Sequence, residues 1–437
     1  MNKVKVNRRG VLKAGLGAAA VASTVGLSGC ATSGGGMAGS SSKKLGRVVV
    51  VGGGFGGATA AKYLNEWSNG AIEVTLIERQ KEFYSCPISN LVIGGVRKMN
   101  EITRTYEGLE RRGIKMVYDE VTQIDPVKKV VMTAKGASIS YDRLVVSPGI
   151  DFRFETIAGL NAEAQKVVLH SWKAGPQTVA LRAQLEAMPN GGTYVLTVPK
   201  GPYRCPPGPY ERVCQVANYF KREKPKSKVL VLDSNEKIVS KGALFSKAWK
   251  DLYPGLVEYV PNMNVTELDL RNKTLITEVG DRIKGDVLNV IPQQKAGQIA
   301  YAAGLVNVNN LWAGVDWLTL ESQVHKNVHV LGDATSAAAG MPKSGHMANQ
   351  HGKMVAAAIV ELMNGRTPQP HMLANTCYSF VDEKNVVHVA AVYNYDPAKK
   401  TVVKVNKAAG GLSPTPNELE GKYALSWARN IWADMLT

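Results

Sequence analysis

The run GRVVVVGGGFGGATAAKYL (Gly46–Leu64) constrains this chain more than any other stretch. Unbroken apolar residues, then glycines, then a helical pattern read as a buried strand, a tight turn and a helix packed back on the strand. Gly52, Gly54 and Gly57 fit G-x-G-x-x-G. The first permits the turn and the second lets backbone approach a pyrophosphate. The third lets helix and strand close on each other, with the positive end of the helix aimed at the phosphates. A second strand, EVTLIE (Glu73–Glu78), ends in an acid ~20 residues beyond the glycines, where a carboxylate reaches ribose hydroxyls. Glu78 and its neighbour Arg79 are therefore expected at a dinucleotide site.

Two later segments belong with this turn. YDRLVVSPG (Tyr141–Gly149) is a strand and turn, and NVHVLGDAT (Asn327–Thr335) is a strand ending in Gly-Asp. Together they resemble the FAD-binding set of the two-dinucleotide-binding-domain flavoproteins, the disulfide-reductase superfamily. The resemblance implies that Asp333 contacts the ribityl–phosphate region of the cofactor. It also implies an α/β fold in which one Rossmann-like domain is interrupted by another. The expected organisation is an N-terminal address and linker at 1–44, FAD domain at 45–159, an inserted Rossmann-like domain at 160–300, FAD domain again at 301–370 and an α+β C-terminal interface domain at 371–437.

The inserted domain is read as a helix over Trp172–Met188, a strand at Thr193–Val198, a helix from about Tyr210 to Phe220 and a strand at Lys228–Asp233. Its turn is KGPYRCPPGP (Lys200–Pro209). Prolines lack the N–H groups that cradle phosphate and they stiffen a loop. This turn is thus not expected to hold a nicotinamide dinucleotide.

The N-terminus reads as an address. NRRGVLKAG (Asn7–Gly15) places Arg8-Arg9 before an Ala/Gly-rich apolar stretch only about half as long as a membrane span requires. That is the pattern of twin-arginine export, which carries folded proteins to the periplasm. LSGC (Leu27–Cys30) is similar to a lipobox, which would make Cys30 a lipidated first residue. Cleavage further on, within the Gly/Ser tether Ala31–Ser42, would leave a soluble periplasmic protein. The net charge of +17 favours acidic partners, anionic surfaces or small anions. No reading motif accompanies it, so nucleic-acid binding is not expected.

There are five cysteines and seven histidines. No C-x-x-C-H occurs, so the chain attaches no c-type haem. His346 and His351 face apart on a helix, and no metal site is expected. Cys205 and Cys377 lie in short polar or proline-rich segments of an exported chain, where a disulfide is the natural pairing. Cys205–Cys214 is the rival.

Four segments sharpen the resemblance: YSCPISNLVIGG (Tyr84–Gly95), YRCPPGPYERV (Tyr203–Val213), MPKSGHMANQHGK (Met341–Lys353) and NTCYS (Asn375–Ser379). They are similar to the flavoprotein subunit of flavocytochrome c sulfide dehydrogenase. The resemblance implies FAD held covalently as an 8α-S-cysteinyl thioether on Cys86. It implies a redox-active Cys205–Cys377 disulfide beside the flavin, with Glu211 as proton acceptor. Trp427 is placed near the isoalloxazine, and Lys343 among the cofactor-binding residues. Cys214 matches no family role and is read as a small core residue. The implied activity is oxidation of sulfide to zero-valent sulfur or polysulfide, with electrons passed to a separate c-type cytochrome subunit in a heterodimer. The alternatives are a sulfide:quinone reductase-like enzyme and a non-catalytic flavin-binding sulfur carrier. The quinone reading needs a membrane-inserting surface, for which ALSWARNIWADML (Ala424–Leu436) is a weak candidate, more readily an ordinary packed helix.

Overall fold

The structure, a computed structural model, describes residues 44–405 and 409–437. The twin arginine, Cys30 and the Gly/Ser tether lie outside the described residues.

The strand Gly46–Val51 is the middle of a five-stranded sheet, flanked by Ile72–Glu78 and then Lys115–Tyr118 on one side. On its other side come Arg143–Val146 and Val328–Val330. Every pairing is parallel, with Val48 opposite Val74 and Arg143. Parallel strands covered on both faces read as continuous apolar runs, which is why VVVV is legible as one. Val328–Val330 comes from beyond the insertion, so the first sheet is closed only when the chain returns.

Between its two parts lies a second parallel sheet, ordered Val257–Val260, Lys228–Asp233, Thr193–Val198, Val287–Val290. The strands at Thr193–Val198 and Lys228–Asp233 fall where expected. The helix expected over Trp172–Met188 is shorter, Pro176–Ala187. Gly175 (φ +142°) and the proline after it start the helix there. The residues before it stay in a loop because their carbonyls are engaged elsewhere: His170 O and Ser171 O accept from Arg212, and Trp172 O from Arg204. The next helix, Gly208–Glu223, begins inside the proline-rich turn and is longer than expected.

The C-terminal part is an antiparallel sheet of Met372–Phe380, Val386–Asp396, Thr401–Lys404 and Gly411–Leu412, followed by the helix Glu418–Leu436. That helix buries Ala424, Ala428, Ile431, Trp432 and Met435. Its Trp432 indole donates to Ser85 Oγ at 2.9 Å, and Asp434 pairs with Lys353 at 3.0 Å. It is a packed helix. Among the described residues no helix is long and apolar enough to cross a membrane.

The glycine turn carries the tightest contact in the first domain. Gly52 has φ +95°, and Gly57 is so close that a Cβ on it would stand 1.8 Å from Gly52 O. Neither backbone can yield without parting helix from strand. Gly57→Ala is expected to lose ~1–3 kcal/mol of stability and to purify with little bound flavin. Thermal melting and the flavin-to-protein absorbance ratio check this; full flavin content would refute it.

Candidate functional site

Two cavities meet at the centre of the molecule. The larger is a groove of about 1890 Å³ running over the glycine turn, lined by Gly52, Gly54, Glu78, Arg79, Pro148 and Asp333 among others. A Cβ on Gly54 would meet nothing within 4 Å, so the turn presents bare backbone to the groove. Glu78 ends its strand under the turn, where Oε2 accepts from Gly53 N at 2.7 Å and Oε1 from Gln80 N at 3.0 Å. Arg79 is exposed at the rim, 3.9 Å from Glu120. Asp333, in a single helical turn at Gly332–Ala334, enters the groove from the far edge of the first sheet. Burial raises its pKa, opposed by the charges of Arg204 and Lys343. An extended groove with bare glycine backbone at one end of a parallel sheet, a carboxylate on the second strand and a half-buried aspartate fits FAD.

The second cavity, about 1000 Å³, shares the wall residues Phe55, Cys86, Arg204, Asp333 and Gly345 with the groove. Its remaining lining includes Cys205, Glu211, Cys377 and Trp427. Residues from both Rossmann-like parts and the C-terminal sheet therefore converge on one space.

Cys205 sits in the proline-rich loop with φ +55°. Its N–H donates to Lys343 O at 2.7 Å, and its carbonyl accepts from Gly208 N at 2.9 Å. A Cβ on Gly208 would lie 2.8 Å from Cys205 Sγ, so only glycine leaves room for that sulfur. Cys205 is exposed to the cavity rather than packed in the core. Its thiol pKa is raised, first by burial and then by the charges of Cys377 and Glu211. Cys377 lies on the strand Met372–Phe380 opposite Val389. Burial raises its thiol too, and Lys241 is the first influence opposing that. Cys86, Cys205, Cys214 and Cys377 are all free thiols in this structure, so neither the expected Cys205–Cys377 bond nor its rival Cys205–Cys214 is formed in it.

Glu211 joins the pieces. It stands in the first turn of Gly208–Glu223, and its Oε1 accepts from Phe380 N and its Oε2 from Asn90 Nδ2, each at 2.8 Å. One carboxylate thus ties the inserted helix to the strand of Cys377 and to the segment after Cys86. Burial raises its pKa against those two hydrogen bonds, which makes the carboxylate a readier proton acceptor.

Cys86 stands on the wall between the two cavities, and its Sγ accepts from the Arg204 guanidinium at 3.1 Å. Trp427 borders the second cavity, its ring 5.6 Å from His346 and 6.2 Å from Tyr378. Lys343 is turned away from both spaces. Its Nζ donates to Asp333 O and Thr335 O and lies 3.7 Å from the centre of the Trp312 ring, so it reaches the cofactor groove only by holding the Asp333 turn. Cys214 is fully buried and its Sγ accepts from Trp249 Nε1 at 3.2 Å, off the cavity lining. His346 and His351 bond backbone N–H groups of Thr376 and Gly332. Among the described residues no group of His, Cys, Asp and Glu side chains is placed to hold a metal.

Sequence reasoning missed Arg204, Asn90, Arg212 and Lys241. Arg204 lies inside the segment Tyr203–Val213 but was given no role there. Arg212 is 2% exposed and binds Asn90 Oδ1, Asn289 Oδ1 and two carbonyls, all far from it in sequence.

The acid at the turn of the second sheet is already engaged by its neighbours. Asp233, the acid that would meet a ribose, accepts from Tyr210, Tyr259 and both nitrogens of Asn235. The space over the strand ends there is only about 280 Å³.

Fold and site together define a flavoprotein of the two-Rossmann-domain class, with a proline-rich, cysteine-bearing loop at the turn of the second sheet. Family models agree along the chain. The pyridine nucleotide-disulphide oxidoreductase model matches residues 46–182. The model of the sulfide dehydrogenase (flavocytochrome c) flavoprotein chain, central, matches 178–292, and that of flavocytochrome c sulphide dehydrogenase, flavin-binding, matches 369–436. Over 178–292 and 369–436 the chain is thus similar to the flavoprotein of flavocytochrome c sulfide dehydrogenase. Curated relatives include the mitochondrial sulfide:quinone oxidoreductases of Dictyostelium discoideum (23% identity over 302 residues, 67% of this chain and 66% of that protein) and Mus musculus (24% over 292 residues, 61% of each). The chain spans two thirds or less of the length of these two relatives. The sulfide:quinone oxidoreductase of the hyperthermophilic bacterium Aquifex aeolicus has the same fold, with TM-score 0.71 at 19% identity over 89% of this chain and 91% of that one. So has an NAD-dependent persulfide reductase from A. fulgidus, with TM-score 0.58 at 17% identity over 89% and 77%.

Proposed function

We propose that this chain oxidises sulfide at a Cys205–Cys377 disulfide and delivers the electrons to a c-type cytochrome on a separate subunit. The observation that carries the reading is the single cavity in which Cys205, Cys377 and Glu211 converge and whose wall, including Cys86, is shared with the dinucleotide groove. Gly52, Gly54, Glu78 and Asp333 would hold FAD, with Cys86 as the covalent anchor through an 8α thioether. Bound there, the flavin supplies a two-electron acceptor that can release electrons singly.

The chain's own part is sulfur chemistry. HS⁻ forms a bond to one sulfur of the disulfide as the Cys205–Cys377 bond breaks, leaving a persulfide and a thiolate. Glu211 takes or relays the proton at Oε2, the oxygen that faces Asn90, while the Phe380 N–H holds Oε1 in place. The proline-rich loop, pinned at Cys205 N and by Arg204 N on Gln294 Oε1 (2.9 Å), keeps the sulfur from wandering as the bond opens. Sulfur leaves as zero-valent sulfur or polysulfide. No C-x-x-C-H occurs in the chain, so the haem belongs to a partner. Twin-arginine export to the periplasm, with or without a lipid on Cys30, is part of the same proposal.

The names of the relatives favour one second reading, a quinone acceptor. Against it, the C-terminal helix spends its apolar face on internal packing. The test is anaerobic addition of sulfide to the purified holoprotein. The visible flavin band is expected to bleach with sulfide and to stay unchanged with NADH. Oxidised c-type cytochrome is expected to restore it faster than a soluble quinone. Faster recovery with quinone assigns the second reading, and no bleaching leaves a flavin-binding sulfur carrier.

A further inference from the structure

Lys241 stands at the start of the helix Gly242–Leu252 in left-handed backbone conformation, φ +57°. Its side chain is 5% exposed and crosses from the inserted domain to the C-terminal sheet. There Nζ donates to Cys377 O at 3.0 Å, Ser379 Oγ at 2.8 Å and Val387 O at 3.1 Å. All three acceptors are neutral. A buried ammonium satisfied only by neutral groups is costly, and an anion formed beside it would offset that cost. Burial accordingly lowers Lys241 to about 8. The groups that favour its charge are Cys377, then Glu211, Cys205 and Glu420. Tyr393, from the neighbouring strand, also feels the charge of Cys377, its hydroxyl donating to Gly340 O at 2.8 Å.

We propose that Lys241 is a positioning residue whose ammonium is the counter-charge for the anionic sulfur formed at Cys377 when the Cys205–Cys377 bond opens. The inference rests on the reading of that pair as the sulfide-reactive disulfide. Its charge balance holds for either direction of attack. If HS⁻ bonds to Cys205, the electron pair of the broken bond leaves on Cys377 as a thiolate. If HS⁻ bonds to Cys377, the pair leaves on Cys205, and Cys377 carries a persulfide that is anionic once Glu211 has taken its proton. The same hydrogen bond to Cys377 O holds the strand against the inserted domain, so charge and position are set by one side chain.

The test uses the holoprotein with its thiols reduced by a phosphine, alkylated with iodoacetamide across pH and read by peptide mass spectrometry. In the parent, Cys377 is expected to alkylate with a midpoint below that of Cys205. In Lys241→Met, Cys377 alkylation at pH 7.5 is expected to slow about tenfold or more, with the midpoint moved up by about one unit or more. The plateau rate at high pH, set by access, should be unchanged, and Lys241→Arg should restore the midpoint. A merely structural lysine would change the plateau and leave the midpoint. An unmoved midpoint in Lys241→Met overturns the proposal. So does a parent protein in which Cys377 titrates above Cys205, a measurement that needs no variant to fold. A shifted midpoint in a protein that sulfide does not bleach would uphold the counter-charge and sink the sulfide reading, so the two fail separately.

Discussion

Replacing Cys377 with serine is expected to leave a folded, yellow protein that sulfide no longer reduces. Serine is close in size, and the residue sits in a nine-residue strand whose pairing with Val386–Asp396 runs from Met372 to Phe380. None of that ladder depends on the sulfur. The rate of flavin bleaching by sulfide should fall on the order of a thousandfold or more, as when a covalent nucleophile is removed. Dithionite, which needs no thiol, should still reduce the flavin at the parent rate. A structural bridge between Cys205 and Cys377 makes the opposite forecast: ~2–5 kcal/mol of lost stability with sulfide oxidation largely intact. Melting temperature and anaerobic stopped-flow on the same sample separate the two. Near-parent sulfide oxidation by folded Cys377→Ser protein would end the disulfide mechanism. Glu211→Gln should show a smaller loss that depends on pH. Because burial raises the Glu211 pKa, the parent rate should drop as pH falls through it and the carboxylate can no longer accept a proton. The glutamine variant should lack that limb.

Cys86→Ser is expected to abolish acid-stable flavin attachment while leaving the groove able to bind flavin reversibly. The glycine turn, Glu78 and Asp333 line the groove through residues that do not depend on the sulfur. The serine hydroxyl can still accept from Arg204, which in the parent lies 3.1 Å from Cys86 Sγ. After acid precipitation the parent pellet should stay yellow and the variant pellet should be colourless, with the flavin recovered in the supernatant. Mass spectrometry of the peptide containing position 86 should show the added flavin mass in the parent alone. Yellow colour kept by denatured Cys86→Ser protein would refute the thioether.

How much of this was legible in the chain depends on the range of the forces involved. Gly52, Gly54 and Gly57 and the strands Thr193–Val198 and Lys228–Asp233 could be read because each is specified within a few residues, by backbone sterics and apolar continuity. The helix before Thr193 starts at Pro176 rather than Trp172; Gly175-Pro176 is a local start signal, whereas nothing local says that the His170, Ser171 and Trp172 carbonyls are taken by Arg212 and Arg204. Lys343, read as a cofactor residue from the motif around it, is drawn inward by two carbonyls and the Trp312 ring. Lys241 carries no signal at all in its own neighbourhood.

By itself the sequence determined the first dinucleotide turn, the conversion of the second turn from glycine to proline and cysteine, and the residue types available for sulfur chemistry. Only the tertiary structure decided that Cys205, Glu211 and Cys377 face one cavity. It also decided that Cys86 stands on the wall that cavity shares with the dinucleotide groove, and that a buried ammonium lies against Cys377. The physical reason is that burial and charge act through space. A carboxylate acquires a raised pKa, and a lysine a neutral set of partners, only after segments far apart in the chain have closed water out between them.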